Sequence, residues 1–271
     1  MMKLSRRDLM KNAGMLAAAT GFGGLALSIG ANAGAQTADK QTVPDLPWPY
    51  KKIDPLAVAE DAYAGYYKGA CGYGVFEGII GQLKKEIGFP YTMFPSTLLV
   101  ITQGGVADTA SLCGALNGAA SAIFLVTGAM EPKKREVPYS IVQEVFNWYE
   151  QTELPDYRPK SPKFDIVKSV SRSTLCHISV TKWCKVSGFK AFSKERSERC
   201  AWLTAAVAKY TAELLNSHAD GAFKMAHQLT AATKTCRGCH DKGSKLENTR
   251  AMMDCGGCHF TPKAKTAHPK F

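Results

Sequence analysis

Two short stretches near the end of the chain carry most of its chemistry. Cys236-Arg237-Gly238-Cys239-His240 and Cys255-Gly256-Gly257-Cys258-His259 are Cys-x-x-Cys-His boxes, the spacing that attaches a c-type haem. Two thiols one short turn apart can add to the two vinyl groups of a haem. The histidine that follows then lies beneath the iron, whose potential is set by its axial ligands and by burial. Cys236, Cys239, Cys255 and Cys258 therefore predict covalent attachment of two haems c, with His240 and His259 as proximal ligands. The same four cysteines also fit the spacing of a four-thiolate zinc site. Such a site needs no histidine, yet one follows each pair in a chain with only six, so the haem reading is preferred.

Each iron needs a second axial ligand, and four histidines are left over: His177, His218, His227 and His268. Two of them would complete bis-imidazole coordination and leave no position for a substrate. His218 and His227 flank the haem segment, His218 within a helix-breaking stretch over residues 216–221, and His268 sits in the basic tail. These three are the candidate distal ligands. Met225, Met252 and Met253 would raise the potential, but helix packing is the simpler role for them. His177 follows Cys176 directly and belongs with that cysteine's surroundings.

Cys71, Cys113, Cys176, Cys184 and Cys200 lie outside the boxes. In an exported chain they could form disulfides with one thiol left over, or four of them could hold an iron–sulfur cluster. Glycines flank Cys71 and Cys113 and would let backbone N–H groups approach a cluster sulfur. The start of the chain bears on the choice. Ser5-Arg6-Arg7-Asp8-Leu9-Met10-Lys11 is a twin-arginine export signal, followed by a Gly/Ala-rich apolar run over 13–30 and small residues suited to cleavage near residue 35. The run is weakly hydrophobic for a spanning helix, so cleavage and no membrane span are expected. That route carries folded proteins, which fits a cofactor inserted before export to the periplasm.

The elements that must position these residues read as mostly α. Residues 36–52 form a Pro-rich arm. Asp54-Pro55 opens a helix to about residue 68, with a break at Gly69 and a second helical run through Ile79, Ile80, Leu83 and Ile87. An Ala/Gly-rich helix passes through Ser111 to about Val126, an amphipathic one covers 137–150, and another starts near Cys200. The domains expected are the signal over 1–35, a helical cysteine-bearing domain over 36–217 and a dihaem segment over 218–271. The formal net charge of the chain is +11, and residues 222–271 hold nine Lys/Arg against three Asp/Glu. In an exported chain nucleic acid is a poor partner for this charge. Haem propionates and acidic redox proteins of the periplasm suit it better. No hydrolase triad, phosphate loop or dinucleotide motif is visible.

The layout Cys71, Cys113-Gly114-Ala115-Leu116-Asn117-Gly118, Cys176, Cys200 resembles a family of redox-active proteins built on a Cys, Cys-Gly-Ala-x-x-Gly, Cys, Cys pattern. Joined to the two haem boxes, nearly the whole mature length is similar to the split-Soret cytochromes c of sulfate-reducing bacteria, most closely at residues 176–180, 183–184 and 199–201. The resemblance implies a helical homodimer with two bis-histidine haems per subunit and an iron–sulfur centre, here taken as the 2Fe–2S type. Its ligands would be Cys71, Cys113, Cys176 and Cys200. Cys184 departs from the pattern and could replace one of them. The reading is an electron carrier. A small multihaem reductase, of nitrite for instance, and a zinc-binding redox sensor are the alternatives. The chain purified from a host able to attach c-type haem should be red, with two haems and sharp reduced bands. A colourless, zinc-loaded product would overturn the haem assignment.

Overall fold

The structure is a computed structural model that describes residues 42–250, 252–257 and 259. The expected signal over 1–35, Cys258 and His268 lie outside the described residues. The described residues belong to one compact unit.

Helix α1 (Pro55–Glu86) begins where the sequence says it should. Asp54 Oδ1 accepts the Leu56 N–H at 2.9 Å, and proline fills the first helical position. It is interrupted at Gly69 and Ala70, the latter with φ 63°, and there the chain turns back on itself. The two arms lie antiparallel: Gln82 Nε2 donates to Asp61 Oδ2 at 2.6 Å, and a Cβ on Gly65 would stand 3.0 Å from Gly74 Cα. Cys71 therefore sits at the tip of a helical hairpin, at the start of its second arm.

Short 3-10 helices at Tyr91–Met93 and Ser96–Thr102 lead to α2 (Gly114–Thr127), α3 (Glu136–Gln151), α4 (Cys176–Ser187), α5 (Lys194–Ala219) and α6 (Ala231–His240). The described residues contain no strand, only two isolated bridges, Leu112 with Leu175 and Leu154 with Ser169. The mostly-α expectation holds. The core lies where α1, α2, α3 and α5 meet, with Val75, Ile79, Leu116, Ile123, Ile141, Val145, Val207 and Leu215 all inaccessible to solvent. No helix among the described residues is long and apolar enough to cross a membrane.

Three local expectations need correction. The helix expected to start near Cys200 begins at Lys194, because Ser193 caps it by accepting the Arg196 N–H. Cys200 is thus inside α5. His218 is helical, in the last turn of α5, and the break comes after it at Asp220 and Gly221 (φ 68°). Helix α2 begins at Gly114 instead of passing through Ser111, whose carbonyl accepts the Cys176 N–H at 2.7 Å while Cys113 N–H donates to Thr174 O at 2.9 Å.

Helix α2 is rich in small residues because α1 touches it backbone to backbone. A Cβ on Gly118 would fall 2.3 Å from Gly72 O, and one on Gly72 would fall 2.9 Å from Gly114 O. Gly118→Ala is expected to destabilise the chain by about 1–3 kcal/mol through overpacking. Gly81→Ala, whose Cβ would meet nothing nearer than 3.5 Å, should raise stability by about 0.5–1 kcal/mol. Thermal unfolding of the two variants checks the pair.

Candidate metal–thiolate centre and haem segment

Cys71, Cys113, Cys176 and Cys200 come from four different elements and converge on one region. Three of them start a helix or helical arm: Cys71 follows the Ala70 reversal, Cys113 is the N-cap of α2, and Cys176 is the first residue of α4. The positive ends of those helices would favour negative charge on a group bound there. Cys200 enters from the side of α5. Cys71, Cys176 and Cys200 line a cavity of about 460 Å3 that Tyr66, Gly104 and Arg196 also border. Cys113 is buried and does not line it.

The loop that closes this cavity is unusual in its backbone. Val106, Ala107, Asp108 and Ala110 all have φ between 49° and 63°, a region that costs an L-residue roughly 1–2 kcal/mol each. Hydrogen bonds from Ala107 N to Ile101 O and from Ala110 N to Gly104 O hold the turn. Its carbonyls in turn cap α4, with Ala110 O and Ser111 O accepting the His177 and Cys176 N–H groups. The strained loop is what sets Cys176 beside Cys113.

Electrostatics distinguish the thiols. The hydrogen bond from Cys71 and the guanidinium groups of Arg199 and Arg196 hold the Cys200 thiol well below its ordinary value. The same bond to Cys200, with burial, pushes Cys71 well above it. Burial raises Cys113, and raises Cys176 to about 12.

No three His, Cys, Asp or Glu side chains among the described residues stand close enough to hold a single ion. A cluster asks for a wider spacing, since its four thiolates surround more than one iron. Arg199 supports the fit. It is 1 % exposed, its Nε lacks a hydrogen-bond partner, and it faces the Cys200 and Cys113 thiols. A buried guanidinium calls for an anion, and a metal–thiolate centre would supply one. Cys184 lies eight residues along α4 from Cys176, about 12 Å by helical rise, and does not line the cavity. His177 is exposed on the first turn of α4.

The haem segment hangs from α3. Helix α6 carries the first box, with Cys236 and Cys239 exposed three residues apart on one face and His240 at its end. His240 Nδ1 bonds to Asn248 Oδ1 at 2.8 Å. In the second box Cys255 stands near Cys236, and the exposed His259 donates its backbone N–H to Cys255 O. His218 is half-buried at the end of α5.

His227 is the histidine most firmly placed. Its Nδ1–H donates to Glu144 Oε1 at 2.6 Å, its backbone N–H to Glu144 Oε2 at 2.9 Å, and Tyr210 Oη also donates to that carboxylate at 2.7 Å. Asn147 Nδ2 holds the His227 carbonyl at 3.0 Å. A carboxylate on Nδ1 fixes the ring and its tautomer and directs Nε2 outward, the arrangement that serves ligating histidines. Further along α3, the Glu150 carboxylate accepts the Asp254 N–H, and Thr174 Oγ1 donates to Met253 Sδ at 2.9 Å. Sequence reasoning did not identify Glu144, Tyr149, Glu150 or Arg199 as site residues. Glu144, Asn147 and Glu150 recur three residues apart on α3 and are all buried, and polar residues at that spacing are the signal that could have found them.

Three comparisons bear on this geometry. Residues 74–214 match the family described as "Putative redox-active protein (C_GCAxxG_C_C)". The chain is 39 % identical over 272 residues to the split-Soret cytochrome c of Desulfovibrio desulfuricans, covering 95 % of each sequence. A solved structure of the split-Soret cytochrome c from that organism, described as holding a novel iron centre, matches with a TM-score of 0.72 over 81 % of this chain and 93 % of the other.

Burial pushes the Glu150 carboxyl up to about 7, with Asp254 nearby adding to the rise. The folded chain then holds this proton more tightly than the unfolded one, so Glu150 lowers stability as pH rises from about 4.5 to about 7. Glu150→Gln should raise stability above that window by up to about 3 kcal/mol, and have little effect near pH 4.5. Denaturant unfolding at the two pH values reads the difference.

Proposed function

The chain belongs to the split-Soret cytochrome c family, and on that premise we propose that it works in the periplasm as a dihaem electron carrier with an iron–sulfur centre held by Cys71, Cys113, Cys176 and Cys200. Electron transfer by a c-type cytochrome is the family's character. The observation that carries the finer reading is the convergence of four thiols from four elements on one region, three of them lining one cavity, backed by a buried guanidinium with no carboxylate partner among the described residues.

Bound haem and cluster would supply one-electron redox chemistry; the chain supplies position and charge. Cys236 and Cys239, with Cys255 and Cys258, would tether the two haems, and His240 and His259 would be proximal ligands. His227 is the distal ligand we favour for one iron, because Glu144 orients its ring. His218 or His268 would serve the other. With both axial positions filled by imidazole, neither haem would offer a substrate a place, which favours a carrier over a nitrite reductase. The cluster reading is of the 2Fe–2S type, whose four ligands the four cysteines match in number. A homodimer would shield the haems that so short a segment cannot bury alone. The basic segment would dock acidic redox proteins, and the twin-arginine signal would export the chain after its cluster is in place.

Iron and haem per chain, measured on anaerobically purified protein, test the reading. Iron in excess of haem is expected, and it should be lost in Cys71→Ala and Cys113→Ala with haem retained. Carbon monoxide should leave the wild-type spectrum unchanged and shift that of His227→Ala. A shift in the wild type would open a haem site and put a reductase first. Iron equal to haem would remove the cluster.

A further inference from the structure

The most heavily buried cation among the described residues is not itself a ligand of the centre proposed above. Arg199 is 1 % exposed, and no carboxylate among the described residues pairs with it. One terminal nitrogen donates to Ser179 Oγ at 2.8 Å, while Nε has no partner. Ser179, itself 1 % exposed, is hydrogen-bonded to Tyr149 Oη at 2.9 Å. Tyr149 in turn hydrogen-bonds to the Cys113 thiol. The groups of negative tendency that face the guanidinium are Cys200, Tyr149 and Cys113.

Two physical points follow. A buried cation without an anion is strongly destabilising, so the fold tolerates Arg199 best when something anionic fills the space beside it. Ser179 Oγ accepts from both the Arg199 guanidinium and the Tyr149 hydroxyl, which ties the three side chains into one buried group beside the cysteines. Hydrogen bonds to cluster sulfurs and nearby charge are what tune a metal–thiolate centre.

We infer that Arg199 is the built-in counter-charge of the centre held by Cys113 and Cys200, held in place by Ser179 and Tyr149 and acting through its charge to favour the reduced state. This rests on the cysteines holding iron, as proposed above. Arg199 is a positioning and tuning residue; it touches no metal. Reduction adds an electron to the centre, and a fixed cation beside it stabilises the added charge, so the potential is higher with Arg199 than without it.

The experiment uses the full haem-loaded chain and the variants Arg199→Met, Arg199→Lys and Tyr149→Phe. The midpoint potential of the non-haem centre is followed by electron paramagnetic resonance, with the haem potentials as internal reference. Thermal unfolding is followed before and after chelation of non-haem iron. Arg199→Met should shift the centre's equilibrium at least tenfold toward the oxidised state, 59 mV for a one-electron couple. Arg199→Lys should shift it less, and Tyr149→Phe in the same direction by a smaller step. Arg199→Met should lower the unfolding temperature more in iron-loaded protein than in chelated protein.

An unchanged potential in iron-loaded Arg199→Met overturns the inference, as does equal destabilisation with and without iron. If Arg199→Met does not fold or keep iron, Tyr149→Phe, which removes one hydroxyl, decides, and an unchanged potential there overturns it. A wild type without non-haem iron overturns both the cluster and this inference. A loaded wild type with indifferent variants overturns this inference alone.

Discussion

The backbone contact between the tip of the α1 hairpin and the start of α2 is the constraint on which the rest depends. Gly72, Gly114 and Gly118 meet there with Thr102 from the preceding 3-10 helix, so closely that a Cβ on Gly114 would fall 2.5 Å from Thr102 O and 3.2 Å from Cys71 Cβ. No larger residue fits without moving a main chain. This contact sets Cys71 beside Cys113, and it fixes where the strained loop after Thr102 must begin. That loop then positions Cys176. The flanking glycines thus serve chain-to-chain approach, and the approach brings the thiols together.

Helix α3 serves both halves of the molecule. Tyr149 reaches the Cys113 side, Glu144 and Asn147 grip His227, and Glu150 holds Asp254 next to the second haem box. Buried polar groups are costly unless bonded, and here each is satisfied by a group from the site it supports. Helix α3 is therefore both a core element, through Ile141, Val145 and Trp148, and the shared mount for the cysteine region and the haem segment. Met253 against Thr174 adds a second tie between the two. The haem segment has little core of its own, so these polar ties do the work of orientation.

The charge distribution follows the same division. The segment that carries the Cys-x-x-Cys-His boxes is basic in sequence, suited to propionates and to encounter with acidic proteins. The cysteine region keeps its cation inside, where low dielectric strengthens its effect on any negative charge beside it. On the outer side of the cavity, Tyr63, Tyr67 and Trp202 all donate to buried Glu198, which stiffens the wall formed by the first arm of α1 and the start of α5.

The chemistry of this chain was legible in its sequence because it depends on covalent spacing and local signals. The Cys-x-x-Cys-His boxes, the Asp54-Pro55 helix start, the break at Gly69 and the mostly-α character are properties of a few adjacent residues, and the geometry of those residues alone decides them. The cap at Ser193 was missed for want of an apolar pattern to mark it, which put Cys200 at a helix start when it lies inside one. What only the tertiary structure decided is how distant residues meet. Four cysteines spread over 130 residues come together because glycines let backbones touch. Cys184, with nothing local to set it apart, is held a helix length away. His227 gains its orientation from a glutamate 83 positions earlier, and Arg199 faces thiols that no spacing rule connects to it. Contacts of that kind are made by packing, and packing is a property of surfaces that exist only once the chain has folded.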